Sequence, residues 1–243
     1  MKGKLSGRIA LVTGASRGLG HALCLHLARE GAHVIATART QGGLEELDDA
    51  IKAKGGTATL VPLDIKDFEA IDRLGASVFE RWGKLDILVG NAGTLGKLTP
   101  LSHVDPKVWN DALDVNLTSN YRLIRSMDPL LQAADHGRAV FVTSGLAQKC
   151  FPYWGTYSIG KAALEALVRT YAGEVATSNL RVNCFSPGPT RTKMRATAMP
   201  GEDPNTLPTA EAVSAQIIPM CLDTFTSNGE VWKYGGNGLF KQA

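Results

Sequence analysis

Short apolar runs alternate with amphipathic stretches from one end of the chain to the other. Ile9–Thr13, His33–Thr37, Thr57–Leu63, Asp86–Val89, Ala139–Thr143 and Arg181–Phe185 are continuous and rich in Val, Ile and Leu. Runs of that kind read as strands covered on both faces. Val231–Tyr234 reads as the last strand. Helical spacing predicts helices over Leu19–Glu30, about Gly43–Lys54, about Phe68–Trp82, and Tyr157–Ala176. A further helix is expected around Trp109–Met127, stopping before Pro129. Strands that alternate with helices imply parallel pairing through βαβ crossovers, hence an α/β fold with helices on both faces of the sheet.

No repeat, low-complexity tract or linker interrupts this pattern, so residues 1–243 read as a single domain. One stretch is irregular. Pro187 to about Pro208 holds Pro187, Pro189, Pro200 and Pro204 before Pro208 itself, and reads as a flexible loop or a lid with a short helix.

Composition narrows the function classes. The chain carries 26 basic and 23 acidic residues, a net charge of +3, with no Lys/Arg block. Nucleic-acid or membrane-surface binding has no support there. No apolar run approaches a membrane span, and the start of the chain is short and polar. Cys24, Cys150, Cys184 and Cys221 lie far apart, without ligand spacing, and the five histidines form no ligand pattern either. No metal site is expected. Cysteines used in this way fit a reducing compartment, which places the protein in the cytoplasm.

Chemistry is concentrated in two places. Thr13-Gly14-Ala15-Ser16-Arg17-Gly18-Leu19-Gly20 follows the first strand and opens the first helix. Glycines there let the backbone turn tightly and approach a pyrophosphate, while the helix N-terminus offers free N–H groups. Tyr157 and Lys161 stand one turn apart on a helix face. A phenol titrates near 10, so a role in proton transfer calls for a nearby ammonium and hydrogen-bond donors to lower that value. Ser144, at a strand end upstream, supplies a hydroxyl that could hold a carbonyl beside the tyrosine.

Taken together these residues resemble the short-chain dehydrogenase/reductase family. The resemblance extends to Asn91-Ala92-Gly93, Asn116, Ser144, Tyr157-x-x-x-Lys161 and Pro187-Gly188, in the family's order, over nearly the whole chain. It implies a single-domain, Rossmann-type doubly wound parallel sheet of about seven strands, usually in a homotetramer. It implies catalysis by Asn116, Ser144, Tyr157 and Lys161, with Tyr157 as general acid/base and Asn116 bending its helix. It implies a dinucleotide held by Gly14, Ser16, Arg17, Gly18, Leu19, Gly20, Asp64, Ile65, Asn91, Ala92, Gly93, Tyr157, Lys161, Pro187, Gly188, Thr190 and Thr192. Asp64 equally suits a cap for the next segment. Where a member selective for NAD carries an acid after the second strand, this chain has Ala38 followed by Arg39. NADP is therefore the expected cofactor, with Arg39 and Arg17 at its 2′-phosphate. The expected substrate is a small carbonyl or alcohol, with Leu95, Leu146, Phe151, Trp154, Met194 and Met199 lining an apolar pocket. A dinucleotide-sensing module without turnover, or net isomerisation or dehydration, would share the same cofactor site.

Overall fold

A computed structural model describes residues 3–236 and 238–242. Its centre is an eight-stranded sheet: β1 (Ile9–Thr13), β2 (His33–Ala38), β3 (Thr57–Pro62), β4 (Ile87–Gly90), β5 (Arg138–Val142), β6 (Arg181–Ser186), β7 (Val231–Gly235) and β8 (Gly238–Lys241). The order is β3-β2-β1-β4-β5-β6-β7-β8. Every pairing is parallel except the last, where β8 turns back on β7. The order reverses between β1 and β4, where a crevice opens beyond the carboxyl ends of the strands.

Alternation along β1 shows why the sheet is covered twice. Ile9 and Leu11 point into a core shared with α3 (Phe68–Trp82), α5 (Ser119–Gln132) and α7 (Gly155–Glu174). Ala10 and Val12 point into the opposite core, under α1 (Gly18–Arg29), α2 (Gln41–Lys52) and α9 (Ala210–Ser214). All five β1 residues are buried, so a continuous apolar run is what this position demands.

Three expectations need correction. The helical region in the middle of the chain begins earlier than Trp109. Asp105 accepts from the Lys107 and Val108 amides and Pro106 occupies the first turn, so α4 spans Pro106–Leu113. The region also runs through Pro129 rather than stopping before it, and α5 ends at Gln132. A proline inside a helix costs about 3 kcal/mol. Leu130 and Leu131 beyond it are 3% and 0% exposed, and burying such side chains contributes about 1.5–3 kcal/mol each. Burial therefore outweighs the lost hydrogen bond. Finally, Val231–Gly235 is not the last strand. The glycines that follow it permit a reversal, with Gly238 at φ +154, and β8 closes an antiparallel pair.

The irregular stretch carries a short helix, as one of its two readings had it. It contains α8 (Lys193–Ala198), capped by the Thr192 hydroxyl, and a short 3-10 turn at Pro204–Thr206. Arg195 grips Glu202 through Nε and an Nη nitrogen at 2.6 Å each, and Arg191 bridges to Thr209.

Candidate active site

The carboxyl ends of the strands open into a cleft of about 1510 Å³. Nearly every residue singled out in the sequence lines it: Gly14, Ser16, Arg17, Gly18, Leu19, Arg39, Asp64, Ile65, Asn91, Ala92, Gly93, Ser144, Tyr157, Lys161, Pro187, Gly188, Thr190 and Thr192. The apolar set of Leu95, Leu146, Phe151, Trp154, Met194 and Met199 lines it as well. Gly20 and Asn116 do not reach the surface of the cleft, although both support it.

The glycine loop is shaped by close approach. Gly14 has φ +67, and a Cβ there would stand 3.1 Å from Ala92 Cα. On Gly20 a Cβ would collide with the Gly14 carbonyl and the Asn91 amide, so this glycine lets α1 pack beneath the loop. Asn91 spends its side chain on the loop itself, donating from Nδ2 to the carbonyls of Thr13 at 2.8 Å and Gly14 at 3.3 Å. Thr13, at the head of the glycine fingerprint, ties the two halves together. Its Oγ1 accepts from the amides of Asn91 and Ala92, both at 3.0 Å. Arg17 precedes the first turn of α1 without a side-chain cap, which leaves the first helical amides open to the cleft. Arg17 and Arg39 are exposed and make no ion pair among the described residues.

Beyond β3, Asp64 Oδ1 accepts from the Lys66 amide at 3.0 Å, and Asp67 provides the cap of α3. The cap of the next helix therefore falls to Asp67 rather than Asp64, which makes a local turn and lines the cleft. At the other end, Gly188 has φ +67, and the Thr190 hydroxyl donates to the Gly188 carbonyl at 3.2 Å. The Thr192 methyl lies 3.5 Å from where a Cβ on Gly18 would stand, so this segment straps across the glycine loop.

Tyr157, Ser144 and Lys161 converge between these ends. Ser144 Oγ accepts from the Leu146 amide at 3.2 Å, which leaves its own O–H free to donate. Lys161 is 3% exposed and gives one hydrogen bond, 2.7 Å to the Val142 carbonyl. Its Nζ stands 5.9 Å from the Tyr157 ring centre, and Trp154 meets the same ring edge-on. Burial pulls the Lys161 ammonium down to about 8. Burial also pushes Tyr157 up from its ordinary value, with the Ser144 hydroxyl opposing the shift. The sequence-based expectation of a phenol lowered by Lys161 is therefore reversed, because burial outweighs the neighbours.

Asn116 lies behind this group in a π-helical turn, Asp114–Thr118, which joins α4 to α5. Its side chain is wholly committed to Thr94. Oδ1 accepts from the Thr94 amide at 3.0 Å and Nδ2 donates to the Thr94 carbonyl at 2.8 Å. The π turn interrupts regular helix where a bend was expected, and Gly160 of α7 allows the close pass, since a Cβ there would touch Asn116 Cβ at 3.1 Å.

Among the described residues no cluster could hold a metal ion, and no helix is long and apolar enough to cross a membrane. The family model for short chain dehydrogenases matches residues 8–203. The chain belongs to the short chain dehydrogenase family. It is 36% identical over 221 residues to the oxidoreductase YciK of Escherichia coli K12, covering 90% of this chain and 86% of the relative. A structure from Shigella flexneri 2a complexed with NADP superposes with a TM-score of 0.89 at 34% identity, covering 96% of this chain and 99% of that one. Another, from Escherichia coli CFT073 complexed with NADPH, gives 0.87 at 34% identity, covering 96% and 98%. Within the short chain dehydrogenases the chain falls in the YciK-like subgroup, and a dehydrogenase or reductase role follows from that membership.

Proposed function

We propose that the protein is an NADP(H)-dependent carbonyl reductase, in which Tyr157 carries the proton and Ser144, Lys161 and Asn116 support it. The observation that carries this reading is the convergence of Ser144, Tyr157 and Lys161 in the same cleft as the glycine loop. The cleft suits a dinucleotide. The open amides of α1 and the glycine cradle offer donors to a pyrophosphate, and two N–H groups of Lys161 remain for ribose hydroxyls. Gly14 to Gly20 would hold the phosphates, Asp64 and Ile65 the adenine, and Asn91 to Gly93 the floor. Pro187, Gly188, Thr190 and Thr192 would surround the nicotinamide. When bound, NADPH supplies the hydride.

The chain's own residues then do the following. The O–H groups of Ser144 and Tyr157 donate to the substrate carbonyl oxygen and polarise it. Tyr157, held neutral by burial, gives its proton to that oxygen as the carbonyl carbon becomes an alcohol carbon. Lys161 faces the resulting phenolate with its ammonium, and Asn116 anchors the Thr94 segment behind it. Leu95, Phe151, Trp154 and Met199 offer an apolar wall to the substrate. The working enzyme is a cytoplasmic homotetramer, and its four free thiols suit that compartment.

NADPH consumption across a panel of ketones and aldehydes tests this reading. Turnover of at least one carbonyl is expected, with Tyr157→Phe lowering kcat by about 10²–10⁴ while NADPH still binds. Tight NADPH binding without consumption on any carbonyl would make the protein a dinucleotide-sensing module instead.

A further inference from the structure

One buried acid outside the four proposed catalytic groups faces the same place. Glu165 lies on α7 and is 4% exposed. Positions four apart share a helix face, so Tyr157, Lys161 and Glu165 form one stripe along α7. The stripe is set against three consecutive residues at the end of β5. Lys161 Nζ donates to the Val142 carbonyl at 2.7 Å, and Thr143 Oγ1 donates to Glu165 Oε1 at 2.8 Å. The Ser144 hydroxyl stands beside the Tyr157 phenol. Thr143 is 1% exposed, and its amide donates to the Phe185 carbonyl at 2.8 Å, so this residue is held from two sides.

A buried carboxyl is costly, and an apolar pair of similar volume would fill the same space more cheaply. Glu165 has few other partners to account for it. Arg169 on the same helix reaches only 3.9 Å, with its side chain 56% exposed. Lys233 on β7 and the Cys184 thiol on β6 act at longer range. We propose that Glu165 is a positioning residue for the reducing site: by holding Thr143 it sets the backbone that aims Ser144 at Tyr157. The inference rests on the function proposed above.

Four variants test it. Glu165→Leu and Thr143→Val each remove one partner, while Glu165→Gln and Thr143→Ser keep an acceptor and a donor. The first two should lower kcat by about tenfold or more, with KM for NADPH within about twofold, because a small misaim of a reacting group is expensive. The conservative pair should recover most of that loss. A second readout needs no turnover. In full-length protein labelled with 13C at tyrosine Cζ, the Tyr157 resonance, assigned by Tyr157→Phe, reports the hydrogen bond at its oxygen. It should move in Glu165→Leu and Thr143→Val and stay put in the conservative variants. Should no carbonyl be reduced at all, the function fails while this resonance still judges the inference. An unmoved resonance in folded Thr143→Val would overturn the inference, as would equal loss of kcat in all four variants. If Glu165→Leu does not fold, Thr143→Val reads the same hydrogen bond.

Discussion

At the scale of single residues, Lys161 shows function and stability pulling apart. Its ammonium is buried against one carbonyl and titrates at about 8, below the ordinary 10.5. Between those values the unfolded chain keeps a proton that the folded one has released, so this group's contribution to stability rises with pH over that window. At pH 7 the folded protein carries an uncompensated buried charge. Lys161→Met should therefore leave the melting temperature unchanged or raise it by a few degrees, worth about 1–2 kcal/mol, while turnover is lost. A lower Tm would show that Lys161 is a net structural prop. The same proton should appear in kcat/KM for reduction, which reports the free enzyme. It should be level near neutrality and fall as pH rises through about 8. A profile level up to pH 10 would exclude Lys161 as the supporting cation.

The proposed preference for NADPH also rests on single residues. Ala38 is 7% exposed and brings no carboxylate to the end of β2, while Arg17 and Arg39 stand exposed at the cleft. A guanidinium stays charged and offers paired donors to a phosphate. Solvent screening limits each contact, so two should favour NADPH over NADH by about 10–100-fold in kcat/KM. Arg39→Ala should raise KM for NADPH and leave NADH nearly unaffected, and Ala38→Asp should shift preference toward NADH. Equal efficiencies in the wild type would remove the assignment. These residues were legible in the sequence because each belongs to a short-range motif. The bracing role of Thr13 and the place of Glu165 were not, since their partners, Asn91 and Thr143, come close only through the sheet.

At the scale of elements, the parallel strands and the Tyr/Lys helix were readable from periodicity and the glycine turn from its residues, while the doubly wound sheet was implied by the family resemblance. The failures share a cause, tertiary packing that overrides a local signal. Pro129 should end a helix by its own chemistry, yet two buried leucines carry α5 past it. The π turn at Asn116 depends on Thr94 and on the close pass of Gly160, neither of which is near in sequence. The sequence left residues 187–208 open between a flexible loop and a lid with a short helix, because the fastening, Arg195 to Glu202, is a side-chain pair rather than a pattern. The Arg195–Glu202 pair lies at the surface, where solvent screens it, so it contributes little to global stability. Its effect should be local. Glu202→Gln should leave Tm within about a degree, speed hydrogen exchange over residues 190–206, and raise KM for NADPH by about 3–10-fold, since the mobile strap must then be ordered on binding. Faster exchange with an unchanged KM would mean that the strap does not help hold the cofactor.

At the scale of the molecule, seven of the exposed large apolar side chains among the described residues fall into groups. Phe151, Met194 and Met199 edge the cleft, where substrate would cover them. Phe79, Tyr121 and Ile159 are 65%, 48% and 38% exposed and belong to α3, α5 and α7, the helices of one layer. Phe240, 48% exposed, lies on β8 at the open edge of the sheet, where unpaired backbone groups also face outward. Exposed apolar residues are ordinary one by one, but these stand on a helical layer and at a sheet edge, the two places where interfaces of the proposed assembly would lie. Two self-complementary interfaces around two-fold axes would close into a tetramer, the assembly the family resemblance implies. Light scattering should therefore give about four times the 25.9 kDa chain mass at micromolar concentration. Tyr121→Glu with Ile159→Glu should split the assembly through the helical layer, and Phe240→Glu should split it through the sheet edge. Each should leave a dimer, because each removes one kind of interface and spares the other. A wild-type mass near that of one chain would sink the assembly, and a monomer from either substitution alone would show that one interface holds it together.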